Sequence, residues 1–194
     1  MNTELKNKIL KLYEGFKEED NIKENRLDRW RNLEPESAEF ISILIRSQQS
    51  KNVLEIGTSN GFSTLWLSDA VKSTGGKLIS VEIEESRTLL AKNNLTEFGL
   101  MNNVELITAD AKDYLAKTAP VFDTIFLDAE RKYYTEYWPE LKRLLSKDGA
   151  LLIVDNVISH QHQVEDFQNL IIEDTGFTST VVNVGKGILL VTKN

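Results

Sequence analysis

Residues 53–64 read Val-Leu-Glu-Ile-Gly-Thr-Ser-Asn-Gly-Phe-Ser-Thr: an apolar run, a turn punctuated by two glycines, and the start of a helix. An apolar run of that length bounded by glycine predicts a buried strand. A glycine loop leading into a helix N-terminus is where open α/β sheets receive adenosine-bearing cofactors. The spacing is Glu-x-Gly-x-x-x-Gly, from Glu55 through Gly57 to Gly61. A dinucleotide binder carries Gly-x-Gly-x-x-Gly instead, because a pyrophosphate needs closely spaced glycines. The wider spacing suits a cofactor without phosphate, and Glu55 offers an acceptor for an ammonium group, directly or through water.

The alternation continues along the chain. Strands are expected at 52–56, 77–83, 104–108, 122–128 and 150–155, then two β-rich runs, 177–184 and 187–192, joined through Gly185-Lys186. Helices are expected from Phe62 to the stop at Gly75-Gly76, over 84–98, 111–117 and 134–145, and over 164–175. Ahead of them, Leu5, Ile9, Leu12 and Phe16 recur at helical spacing, Leu27 and Trp30 do the same, and Pro35 opens a helix carrying Phe40, Ile41, Leu44 and Ile45. The fold class is therefore α/β: a Rossmann-like, doubly wound, seven-stranded sheet, mostly parallel, with a C-terminal antiparallel hairpin and N-terminal helices. The 194 residues make one domain, with the α/β core at 50–194 and a segment at 1–49 that caps the substrate cleft or forms a dimer contact.

A net charge of −7 and a pI of about 5.0 argue against broad binding of a phosphate backbone. With no cysteine, thiolate catalysis and thiolate metal sites are excluded. The first eight residues lack the apolar stretch of a secretory signal, and no segment has the roughly 18–20 apolar residues of a membrane span. The expected setting is cytoplasmic.

Ligands in a doubly wound sheet bind at the carboxyl ends of the strands. Glu82 ends the second strand beside Ile83, 25 positions beyond Gly57, where an acid can chelate ribose hydroxyls. Asp110, before Ala111, faces an adenine amino group, caps a helix, or does both. Asp128 ends the fourth strand, and Asp155-Asn156 the fifth. If those strands are neighbours, two carboxylates and an amide oxygen converge, a hard donor set suited to Mg²⁺ or another divalent cation. The alternative is an Asx turn at Asp155-Asn156 with Asp128 as a cap. Tyr133, Tyr134, Tyr137 and Trp138 line an aromatic pocket or pack in the core. His160 either reaches the cleft as a base or an extra ligand or, with His162, sits on a solvated loop.

From about Pro35 to its C-terminus the chain resembles the cation-dependent O-methyltransferases, the group of catechol and caffeoyl-coenzyme A O-methyltransferases. The likeness is carried by residues 53–64, Val81-Glu82-Ile83, Phe122 to Ala129, Leu152 to Asn156, and Val184 to Leu190. The resemblance implies an S-adenosylmethionine-dependent O-methyltransferase acting on a small hydroxylated aromatic. It implies that Asp128, Asp155 and Asn156 hold the metal. It implies that Glu55, Gly57, Ser63, Glu82 and Ala111 line the cofactor site, and Ser59, Gly61, Ile83, Asp110 and Asp128 complete the candidate set. It also implies a homodimer. Three residues past the first metal aspartate, the plant and animal enzymes carry a lysine taken as the base. Here that residue is Arg131, followed by Lys132. Arginine stays protonated and cannot serve as a general base. So the metal alone drives deprotonation, or Lys132 takes over, or the acceptor differs; Asp128, Arg131 and Lys132 are the candidate catalytic residues. Rival readings are a transfer-RNA hydroxyuridine methyltransferase of the same family, a nucleotide-binding oxidoreductase, and a protein that keeps the fold without turnover.

Overall fold

The computed structural model describes residues 1–25, 28–145 and 148–194. Two helices, α1 (Thr3–Ile22) and α2 (Pro35–Gln48), precede five βα units. These are β1 (Asn52–Ile56), α3 (Phe62–Thr74), β2 (Lys77–Glu82), α4 (Glu85–Glu97), β3 (Val104–Thr108), α5 (Ala111–Lys117), β4 (Thr124–Leu127), α6 (Tyr134–Leu144), β5 (Leu151–Val154) and α7 (Gln161–Glu173). The hairpin β6 (Phe177–Val182) and β7 (Ile188–Lys193) completes one seven-stranded sheet in the order β3-β2-β1-β4-β5-β7-β6. All pairings are parallel except those made by β7, which runs antiparallel to β5 and β6. The order reverses between β1 and β4, so the cleft outside their carboxyl ends is the expected binding place.

Both faces of the sheet are covered, which is why its central strands read as continuous apolar runs. Leu54, Ile125, Leu127 and Leu152 pack toward Tyr134, Trp138 and Phe167 of α6 and α7. Val53, Phe126 and Ile153 face the other way, toward Ile9, Ile41, Ile45 and Leu65 of α1, α2 and α3. Pro35 opens α2 at its first helical position, where a missing N–H costs nothing. Helices α2 and α3 end in left-handed residues, Gln49 and Gly75, whose N–H groups close the last turn. Among the described residues, no helix is long and apolar enough to cross a membrane.

The boundaries differ from expectation where local chemistry outranks apolar pattern. Strands β4 and β5 are shorter than the expected 122–128 and 150–155: each stops one residue before its aspartate, and each also starts later. Helix α7 begins at Gln161, ahead of its first buried residue, Val164. Trp30 is not helical: its N–H and that of Arg31 donate to the two oxygens of Asp20, at 2.7 and 3.0 Å. A carboxylate that takes backbone donors competes with the helix ladder for them. Leu27, the other half of that pattern, lies outside the described residues.

Candidate active site

A cleft of about 710 Å³ opens at the carboxyl ends of β1, β2 and β4. One wall is the glycine loop after β1. Gly57 has φ +106°, and a Cβ there would sit 2.1 Å from the Asp128 carbonyl oxygen, so only glycine lets the two loops approach. Gly61 has φ +87° and abuts Ala91 of α4. Both glycines therefore answer first to backbone contact. Ser59, between them, also adopts a positive φ, and its N–H donates to Glu82 Oε2 at 2.8 Å. Glu84 N–H donates to the other oxygen at 3.0 Å. Each Glu82 oxygen keeps a lone pair for a further donor. Ile83, 63% exposed, lines the same wall with Ala109 and Ala111. Asp110 caps α5 through Oδ1, which accepts from Lys112 N–H at 2.8 Å, and it lines the cleft as well.

Glu55 is placed differently. It is fully buried and stands behind Ser63, whose hydroxyl donates to it. The hydroxyls of Thr64 and Ser80 also donate to it, each at 2.6 Å. Burial raises the carboxyl to about 7, against the opposing effect of these three hydrogen bonds. Ser63 lines the cleft in front of it.

At the other end, β4 and β5 are neighbours, with Leu127 opposite Val154. The next residues, Asp128 and Asp155, emerge side by side. Asp155 is 2% exposed, and its Oδ1 is the one carboxylate oxygen among the buried side-chain atoms that lack a partner in the described residues. Asn156 adopts a positive φ, which Asn tolerates, and its amide donates to Asp155 Oδ2 at 2.7 Å. The same side chain is a hydrogen-bonding partner of Asp128. Both carboxyls are raised, chiefly by burial. Asp155 is raised further by the charge of Asp128, and Arg131 counters the rise at Asp128. Among the described residues no three His, Asp or Glu side chains form a metal cluster; the candidate set is two carboxylates and an amide.

The sequence profile of the O-methyltransferase family matches residues 17–194. This chain belongs to the O-methyltransferase family. Among relatives, a catechol O-methyltransferase of Niastella koreensis is 37% identical over 130 residues, 65% of this chain and 58% of that protein. A catechol O-methyltransferase of Mycobacterium tuberculosis is 34% identical over 124 residues, 63% of this chain and 56% of that protein. The matched stretches thus span under two thirds of those relatives. The crystal structure of the O-methyltransferase TomG from Streptomyces achromogenes, in complex with SAM, superposes with a TM-score of 0.81 at 25% identity. The match covers 100% of this chain and 91% of that one.

In this O-methyltransferase-family chain the aromatic cluster divides between two roles. Tyr134 is fully buried, donates to the Ala129 carbonyl at 3.1 Å, and packs on Phe167. Trp138 packs on Phe167 and Phe177. Tyr133 and Tyr137, with centroids 6.2 Å apart, line the cleft. Arg131, Lys132 and His160 line it too, and His162 is exposed. Among the cleft residues that the sequence did not assign to the site are Trp30, Arg31 and Lys186. Trp30 accepts from the Ser59 hydroxyl at 3.3 Å, and Arg31 pairs with Glu130 at 3.0 Å. Lys186 pairs with Glu34 at 2.6 Å. The one signal for Lys186 was its place between Gly185 and Gly187.

Glu55 makes a test possible away from the chemistry. Its folded pKa exceeds the unfolded value, so its contribution is whole below about 4.5 and is lost as pH rises through about 7. Glu55→Gln keeps the shape and cannot ionise. Between pH 4.5 and 8 the parent should lose about 3 kcal/mol relative to this variant. Urea unfolding across that range measures it; parallel pH profiles would remove the charge penalty from the account.

Proposed function

We propose that the chain transfers the methyl group of S-adenosylmethionine to a hydroxyl of a small, catechol-like aromatic, assisted by a divalent cation. The observation that carries this reading is the buried, unpartnered Oδ1 of Asp155 beside Asp128. A carboxylate oxygen removed from water is costly unless a cation or donor meets it. Asp128, Asp155 and Asn156 offer hard donors of the kind Mg²⁺ takes, and these three residues would hold it. When bound, such an ion lowers the pKa of a hydroxyl that reaches it.

The chain's own residues supply placement. Methyl transfer from a sulfonium is an in-line displacement, so most of the catalysis is orientation. Glu82, fixed by two backbone N–H groups, keeps lone pairs for ribose hydroxyls. Ser59, Ser63, Ile83 and Ala111 form the cofactor wall, and Asp110 adds an acceptor at its far end. Tyr133 and Tyr137 give the acceptor an aromatic wall. Arg131 holds negative charge and does not take a proton. The catechol O-methyltransferase relatives and the SAM complex of TomG support the acceptor class and the cofactor.

The test is S-adenosylhomocysteine release from a panel of vicinal dihydroxy aromatics, with Mg²⁺ and with EDTA. Turnover with Mg²⁺ should fall at least about a hundredfold in EDTA, the loss expected for several kcal/mol of charge stabilisation. Turnover indifferent to EDTA removes the cation from the reading, and silence across the panel removes the acceptor class.

A further inference from the structure

Arg131 is held by one edge only. It sits in the 3₁₀ turn Arg131–Tyr133 after β4, lines the cleft, and donates from Nε to Gln163 Oε1 at 2.8 Å. Gln163 lies in the first turn of α7, so the bond fixes the guanidinium against a rigid element. Its Nη1 and Nη2 groups make no hydrogen bond with the described residues, and no carboxylate there forms an ion pair with it. The acids of the neighbourhood are otherwise engaged. Glu130 pairs with Arg31, Glu34 pairs with Lys186, and Asp128 faces Asp155. Arg131 acts on Asp128 through space only. A divalent ion on the two aspartates would balance their charge, and Arg131, beside Tyr133 and Tyr137, would then share only the charge of Glu130, which already pairs with Arg31.

We propose that Arg131 selects an acceptor that carries a carboxylate, held end-on by the two Nη groups. The substrate is then an anionic dihydroxy aromatic acid and not a neutral catechol. This inference rests on the methyl-transfer reading above. Its physical basis is the planar fork of arginine, which matches a carboxylate with two parallel hydrogen bonds once the Nε edge is occupied. Gln163 is a positioning residue, since it acts only by aiming that fork.

The experiment compares 3,4-dihydroxybenzoate with 3,4-dihydroxybenzamide, nearly the same shape without the charge. Binding of each to the full chain with Mg²⁺ and S-adenosylhomocysteine is measured by calorimetry, and S-adenosylhomocysteine release is followed for both. The acid should bind at least roughly tenfold more tightly, as a charge-assisted pair implies. Arg131→Gln should bring the ratio to about one, and Arg131→Lys, which keeps the charge without the fork, should retain part of it. Equal affinities in the parent protein overturn the proposal. A ratio untouched by Arg131→Gln, or binding of neither compound, overturns it as well. Selective binding of the acid without methylation leaves this inference standing and sinks the methyl-transfer reading. Equal turnover of both compounds does the reverse.

Discussion

Asp155→Ala is expected to cut kcat/KM for the methyl acceptor by about a thousandfold, the equivalent of several kcal/mol of lost charge stabilisation. Asp155→Asn should cost nearly as much activity while moving stability the other way. Burial and the Asp128 charge raise the folded pKa of Asp155, so its favourable contribution is present below the unfolded value and disappears as pH rises through the raised one. In EDTA, above that point, two facing charges are a burden, and the asparagine removes one. The variant keeps an acceptor for the Asn156 amide, which donates to Asp155 Oδ2. Its melting temperature in EDTA should therefore exceed that of the parent, by roughly 2–4 °C per kcal/mol for a chain of this size. Thermal scans with EDTA and with Mg²⁺ check it. A variant that is less stable than the parent in EDTA would show that the acid pair is not under mutual strain.

Gly57→Ala should be strongly damaging for so small a change. The added methyl group meets the Asp128 carbonyl oxygen at 2.1 Å and its carbon at 2.8 Å, both backbone atoms that a rotamer change cannot move. The positive φ adds strain of about 1–3 kcal/mol for any residue with a Cβ. We expect a total cost of at least about 3 kcal/mol, with loss of S-adenosylhomocysteine binding because the loop that displaces Asp128 also displaces Ser59. Gly99→Ala is the comparison: its φ is +66° and a Cβ there meets nothing within 4 Å, so it reports the strain alone. Urea midpoints and calorimetry on both variants measure the difference. Equal losses would mean that the contact between the two loops carries no weight.

The strand–loop–helix unit at 53–64 was legible because a buried parallel strand and a glycine turn each leave a local signature. So was the cap of α5, since Asp before a helix is short-range chemistry. The meeting of Asp128 with Asp155 was legible only as a condition, that β4 and β5 be neighbours, and the sheet meets it. The place of Glu55 was not legible. Whether a strand carboxylate meets the cleft or the interior depends on what lies across it, and here that is Ser63, Thr64 and Ser80. Three hydroxyls at fixed offsets from one acid were the available clue. Trp30, Arg31 and Lys186 were out of reach for another reason. Their contacts join segments far apart in the chain, and the spacing of Trp30 imitated a helix that Asp20 unwinds by taking two backbone donors. In the tyrosine cluster, Tyr134 and Trp138, four apart on α6, turn inward together as helical geometry requires, while Tyr133, in the turn before that helix, stays exposed.

Asp128 and Asp155 follow directly on Leu127 and Val154, which lie opposite each other in the ladder. The rung that pairs Leu127 with Val154, about 4.8 Å in any paired strands, thus sets where the two aspartates leave the sheet, whatever side chains surround them. The sheet acts as a ruler. Substitutions that loosen the layer behind it can cost the protein stability without altering the gauge of the donor pair, whereas a one-residue slip of β5 would turn Asp155 to the opposite face. Change at this end of the molecule is therefore tolerated in packing and forbidden in register.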